Sequence, residues 1–411
     1  MQLGCGLFRW GFCATLEGKQ MNTIKALFFL VIFTFSLVAV PAQAASDDNR
    51  YFVKSNSQFW MKSFNARHQF EGGFSADLTD FQLRLAKVFG VEVEPIKKLT
   101  ILAVPTPLAT KRAGKPALSK TPTDQTPWGV EMMYDDPLLT KSSGGADVLV
   151  AVLDTGVDKN HPDLKNRIAQ CKDFSGPTEA ITDGRCEDKN GHGTHVAGIV
   201  AADGGAGKGI YGIAPQARLF AYKVCGNNGT CFADDVAAGL RVAADSGANV
   251  INLSLGSDSS SPLIESAVVY AINKGVLVVA AAGNDGPYVN SIDYPAAYAG
   301  VVSVGAIDAA INVPDWSARG KNEDTQSYVK EDGDIEFAAP GLNVESTGIG
   351  EYAVLSGTSM AAPHVAGFAA KEWQKSAESP AEATRELLRQ FARDILPTGD
   401  DNASGWGIPT L

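Results

Sequence analysis

Positive charge is in short supply in this chain of 411 residues, where 35 lysines and arginines stand against 46 aspartates and glutamates, for a net charge of -11 at pH 7. A phosphate backbone is held by an excess of basic side chains, so nucleic acid is excluded as the main partner. Long apolar runs are also missing: residues 26–40 form a run of 15, too short to span a bilayer comfortably. No internal repeat recurs along the chain. With 45% hydrophobic and 20% charged residues, the composition is that of a globular protein and excludes disorder, collagen and coiled coil as descriptions of the whole.

What charge there is lies unevenly. From Thr121 onward there are 20 basic and 38 acidic residues, a net -18, while residues 1–120 carry a net +7. A basic front segment precedes an acidic main domain, as expected of two parts that dock. Lys25, the apolar run and Pro41-Ala42-Gln43-Ala44 together read as a secretory signal cut after Ala44, a membrane anchor being the alternative. Met21-Asn22-Thr23-Ile24-Lys25 is a compact positively charged start, so Met21 is the expected true start. Export permits disulfides. If Cys5 and Cys13 leave with the leader, four cysteines remain, and Cys171 with Cys186 and Cys225 with Cys231 is the expected pairing, since each pair brackets a short polar loop. Free buried thiols are the alternative.

Residues 45–120 carry their own pattern, with strands expected at 51–54 and 99–104 and a helix over 78–89, followed by a Pro/Lys/Thr-rich linker ending near Lys120. Such linkers are readily cut. Beyond Asp147, the Val-rich runs 148–153, 219–224, 250–253, 276–281 and 301–306 read as buried parallel strands. Helical patterns at 234–246 and 263–274 lie between them, which predicts an α/β fold with a doubly wound, mostly parallel sheet in three layers, preceded by a small α+β domain. Ser379-Pro380-Ala381-Glu382 predicts a capping box opening a helix that runs to about Ile395.

In such a sheet, reactive groups gather where strands end and helices begin. Three junctions qualify: Asp154-Thr155-Gly156 after the first strand, Asn190-Gly191-His192-Gly193-Thr194-His195, and Ser356-Gly357-Thr358-Ser359-Met360-Ala361. Each has a plain alternative: a turn carboxylate, a metal pair in His192 and His195, and a helix N-cap in Ser359. Ser359 at a helix start would lie in the positive end of the helix dipole.

Taken together, these junctions put Asp, His and Ser in the chain order of the subtilisin-like serine proteases, and the sequence resembles that family from about Pro127 to Gly405. The runs Gly191-His-Gly-Thr-His-Val-Ala-Gly198 and Ser356-Gly-Thr-Ser-Met-Ala-Ala-Pro-His-Val-Ala-Gly367 carry the resemblance. It implies Ser359 as nucleophile, His192 as the base and Asp154 as its orienting carboxylate. It further implies Asn284, in Ala282-Gly283-Asn284-Asp285, as oxyanion donor, Ser254-Leu255-Gly256 as the strand that pairs with the peptide, and Asp293 as a wall of the pocket for the P1 side chain. A carboxylate there favours Arg or Lys at P1, in keeping with a cut near Lys120. The chemistry needs no cofactor. Structural calcium is implied at Gln125 and Asp163, although the glycine-rich loop at 203–209, with Lys208 and no asparagine, departs from the family pattern.

The resemblance also implies a division into a signal peptide (1–44), a prosegment and linker (45–120) that assists folding and then inhibits, and a peptidase domain (121–411). The prosegment carries a net +5, which predicts salt-sensitive docking to the acidic enzyme. The expected protein is a secreted or periplasmic monomeric endopeptidase, a zymogen that processes itself, with polypeptides and its own prosegment as partners and no membrane anchor. A dedicated processor of one partner, or an inactive binding protein on a protease fold, are the alternatives.

Overall fold

The computed structural model describes residues 49–104, 118–205, 207–322, 331–395 and 398–411. The expected leader, Cys5, Cys13, Met21 and much of the linker lie outside them. Among the described residues, no helix is long and apolar enough to cross a membrane.

The architecture rests on an eight-stranded sheet. Its order is Phe337–Pro340, Val302–Ile307, Leu277–Ala281, Val250–Leu253, Leu149–Asp154, Arg218–Lys223, Ile168–Asp173, Thr182–Asp183, and only the last pairing is antiparallel. Alternate residues of one strand face opposite layers. Val150 and Val152 pack on the layer that holds the helices His192–Ala201 and Thr358–Lys371, while Ala151 and Leu153 pack on the layer that holds Ala233–Asp245 and Pro262–Asn273. Strands buried on both faces have no polar side to display, which is why their sequences are near-continuous apolar runs.

Ahead of this domain lies a four-stranded antiparallel sheet, ordered Gln69–Phe70, Gly73–Asp77, Arg50–Val53, Val93–Pro95. Two helices, Gln58–Ser63 and Asp80–Val88, cover a core of Val53, Phe64, Phe74, Ala76, Leu78 and Ala86. Thr79 and Gln82 close a reciprocal capping box at the second helix. The predicted α+β character holds, with the strands at 69–77 and the first helix as additions.

At the other end, the helix Pro380–Gln390 starts where predicted, but the Ser379 side chain makes no capping hydrogen bond. It also stops short of Ile395, because Ala392–Arg393 leave the helix to pair with Ile408–Pro409. Arg385 holds this helix to the sheet edge through buried bonds to Glu336 at 2.8 and 2.5 Å and to the carbonyl of Ala299 at 3.1 Å.

Candidate active site

Three neighbouring ends of the fold converge. The strand Leu149–Asp154 delivers Asp154 at its carboxyl end, the helix His192–Ala201 begins with His192, and the helix Thr358–Lys371 carries Ser359 in its first turn. His192 Nδ1 lies 2.8 and 3.0 Å from the two carboxylate oxygens of Asp154, and both residues are buried. The helix can come this close only because residue 193 is glycine: a Cβ there would sit 2.2 Å from the Gly156 carbonyl and 3.0 Å from Asp154 Oδ1.

Asp188, absent from the sequence-based site, builds this junction. Its Oδ1 accepts from the N–H groups of Asn190 and Gly191, each at 2.9 Å, and from Thr155 Oγ1 at 3.0 Å. Its Oδ2 accepts from the N–H and hydroxyl of Thr194 at 2.9 and 2.7 Å. One buried carboxylate thereby satisfies open donors at the helix start and ties them to the strand end. Underneath, Lys223 Nζ donates to the carbonyls of Thr155 at 2.6 Å and Cys225 at 2.8 Å, and burial holds its pKa below the usual lysine value.

His195 is not a metal partner of His192. Its Nε2 reaches the carbonyls of Val344 and Ala353, each at 3.0 Å, on strands packed against the helix. Burial, and then the charge of His192, push its pKa down to about 3, which keeps the ring neutral.

The Ser359 hydroxyl does not bond to His192. It donates to the Ser254 carbonyl at 3.0 Å and accepts from the Leu102 N–H at 3.0 Å, while the Nε2 of His192 is buried without a partner. The reason is a segment of the same chain in the cleft. Lys98–Ile101 runs antiparallel between Thr230–Phe232 and Leu255–Gly256 as the middle strand of three. Leu102 follows, its carbonyl accepting from the Ser359 N–H at 3.3 Å, and Val104 N donates to the Ser356 carbonyl at 2.9 Å. The cleft needs glycine at 357, where a Cβ would lie 2.3 Å from the Leu102 oxygen.

At the start of the helix that carries Ser359, Asn284 Oδ1 accepts from the N–H and hydroxyl of Thr358, both at 3.0 Å, and the Gly283 N–H donates to Thr358 Oγ1 at 3.1 Å. Thr358 therefore fixes which way the amide faces, leaving Nδ2 as the free donor. Leu255 and Gly256 pair with Ile101 and Thr100, the Ser254 carbonyl accepts from the Leu102 N–H at 3.4 Å, and Asp293, buried, lies behind Gly256 and Gly283.

Both expected disulfides form, Cys171–Cys186 and Cys225–Cys231. The second has a place the sequence did not announce: Cys231 pairs directly with Leu99, so the clip shapes the outer strand of the cleft.

The residue facing Ser359 lies well upstream of the cut expected near Lys120, and Leu118–Ser119 instead pairs with Tyr352 and Ala353 at the edge of the strand Tyr352–Leu355.

A family model described as the subtilase family matches residues 145–407. This chain belongs to the subtilase family. Subtilisin from Bacillus sp. (strain TA39) is 42% identical over 424 aligned positions, covering 96% of this chain and 99% of that protein. Subtilisin Savinase from Lederbergia lenta is 40% identical and covers 69% of this chain and 96% of its own. Among solved structures, the S41 psychrophilic protease superposes with a TM-score of 0.67 at 48% identity, covering 70% of this chain and 99% of that one. Sphericase gives 0.68 at 44%, with the same coverage. The fold is thus the α/β fold of subtilisins, and the protein is a serine endopeptidase that uses no cofactor in its chemistry.

Asp188 yields a prediction for this subtilase. Asp188→Ala should loosen His192 relative to Asp154 and lower kcat by about 10²-fold with little change in KM, as expected when a catalytic group is misplaced by about 1 Å. Steady-state kinetics on a peptide amide checks it; unchanged kcat in a folded variant contradicts it.

Proposed function

We propose that this subtilase is a secreted endopeptidase made as a zymogen, that Asp154, His192 and Ser359 form its triad, and that its first cut falls between Leu102 and Ala103. The observation that carries the reading is the Leu102 carbonyl, held at 3.3 Å by the Ser359 N–H with main-chain pairing on both sides of it. A peptide bond so held has its oxygen where developing negative charge would be stabilised.

Ser359 Oγ turns from the Ser254 carbonyl toward Nε2 of His192 and attacks the Leu102 carbonyl carbon. His192 takes the hydroxyl proton, and Asp154, bonded at Nδ1, holds the tautomer and stabilises the imidazolium. The tetrahedral oxygen is held by the Ser359 N–H and Asn284 Nδ2. His192 then protonates the departing Ala103 amine, leaving an acyl-enzyme on Ser359 that water hydrolyses by the same steps. Recognition through main-chain pairing is open to any extended peptide, which supports broad proteolysis over service to one dedicated partner. The complete set of catalytic groups opposes the inactive-scaffold reading, and since one chain supplies them all, a monomer suffices.

On this reading the signal peptide is 1–44 and the inhibitory prosegment ends at Leu102, short of the expected 120. Its hold on the enzyme is supported by Arg50, Arg67 and His68, which reach Asp235 at 2.9, 3.3 and 3.0 Å at the start of the helix Ala233–Asp245. These groups are buried, so salt screens them far less than the net charges of the two parts imply.

Structural calcium fits as well. Asp163 Oδ1 is buried without a partner, and a Cβ on Gly205 or Gly209 would fall 2.1 or 2.0 Å from it, so glycines leave it a cradle. Gln125 Nε2 donates to the Gly209 carbonyl at 3.0 Å, and Lys208 is exposed. Asp163, Gln125 and backbone carbonyls of this loop would hold a hard cation that wants oxygen ligands. It would pin the loop and take no part in the reaction.

Three outcomes test the proposal. Intact mass and N-terminal sequencing should find wild-type protein beginning at or after Ala103, while Ser359→Ala keeps the Leu102–Ala103 bond; a first cut elsewhere, or equal cutting of both, contradicts it. Asn284→Ala should fold and lose about 10²–10³ in kcat. Millimolar calcium should stabilise the enzyme against heat, by about 2.7 kcal/mol at 100 times Kd, and Asp163→Ala should abolish that increment.

A further inference from the structure

The Leu102 side chain and the Asp293 carboxylate meet at one wall. A Cβ on Gly256 would lie 3.0 Å from Leu102 Cδ1 and 2.9 Å from Asp293 Oδ2, and one on Gly283 would also lie 2.9 Å from Asp293 Oδ2. An apolar side chain thus fills a pocket backed by a buried carboxyl group, which is costly if that group is charged.

The groups around Asp293 make the charge costlier still. Asp258, from the turn after Leu255–Gly256, and Asp285, from the turn after Leu277–Ala281, bring carboxylate oxygens within 4.8 Å of one another and of Asp293. The basic groups nearby are engaged elsewhere. Lys97 Nζ donates to Ser260 O at 2.5 Å and Ser259 Oγ at 3.3 Å, and the Arg319 guanidinium donates to the carbonyls of Ser317 and Pro314. The Thr358 hydroxyl on the serine helix is taken by Asn284 and Gly283. Burial, then the charges of Asp285 and Asp258 and a hydrogen bond with Asp258, raise Asp293 to about 7 with Leu102 in place.

We propose that Asp293 is a proton-linked selector of the P1 residue: protonated, it admits an apolar side chain such as that of the chain's own Leu102, and ionised, with Asp258 and Asp285 behind it, it selects Lys or Arg. This rests on the protease reading and deepens it, since it makes the substrate class depend on pH. The direction follows from linkage. Leucine in the pocket raises the carboxyl above its value in an open, hydrated pocket, so leucine binding is strongest below that open-pocket value. It weakens as pH rises toward about 7 and levels off above it, where the group is ionised in both states. An ammonium in the pocket favours the ionised form and gains over the adjoining window just below, as pH rises toward the open-pocket value, so the two windows together make one climb. The tail that blocks the cleft is then favoured in acid, and cationic substrates displace it more easily at neutral pH and above.

The test uses the processed enzyme and two peptide amides identical except for Lys or Leu at P1. The ratio of their kcat/KM values cancels any titration common to both, His192 included. It should climb on the order of tenfold per pH unit below about pH 7 and flatten above it. Asp293→Asn should give a ratio that does not vary with pH, and Asp258→Asn or Asp285→Asn, exposed substitutions, should move the climb to lower pH. A wild-type ratio that stays constant from acid to alkaline pH overturns the proposal without touching the protease reading. Failure to cleave either peptide overturns both.

Discussion

One hydrogen-bonded residue organises the site. The Leu102 N–H and carbonyl both engage Ser359, at its hydroxyl and its backbone N–H. The strand that precedes Leu102 is gripped on both sides, and the chain beyond it bonds to Ser356. A sheet edge left open in an enzyme is a template for any extended chain, and here a segment of the same chain occupies it. The serine consequently rests against Ser254, and the His192 Nε2 waits unpartnered. A buried polar atom without a partner is costly in a structural role and useful in a catalytic one.

The support beneath this site is rigid by construction. The candidate site's side chains project from a strand end and two helix starts anchored in the sheet, and buried polar contacts hold those ends in place along with packing. Asp188 gathers backbone and hydroxyl donors from both sides of the junction, and Thr358 plays the matching part for Asn284. Glycines at 193, 256, 283 and 357 keep open the close approaches that these contacts and the substrate need.

Much of this was legible in the sequence, and the parts that were not share a cause. The strand at 250–253 was read to the residue because a strand buried on both faces is an uninterrupted apolar run. The placing of Asp154 at a strand end, His192 at a helix start and Ser359 in a helix's first turn was legible because strand-end and helix-start signals are local. Asp188 was not, since an aspartate before Asn190-Gly191 reads as an ordinary turn residue until the fold brings Thr155 and Thr194 to it. That Leu102 faces Ser359 was missed for a related reason: main-chain hydrogen bonds hold it there, and these leave little mark on side-chain composition, whereas the linker near Lys120 has an obvious one. The capping box at Ser379 failed the other way, a correct local pattern whose side-chain bond the tertiary setting does not form.

The central claim is that Ser359 is a nucleophile, shielded from outside reagents until the chain around Leu102 is cut and leaves the cleft. Mass-spectrometric mapping of a fluorophosphonate label, applied to the uncut and the processed protein, tests it most directly. The account predicts one phosphonyl group per processed chain, on Ser359, with the uncut chain labelled far more slowly. Absence of label on the processed chain, label on another residue, or equal rates for the two forms would contradict it.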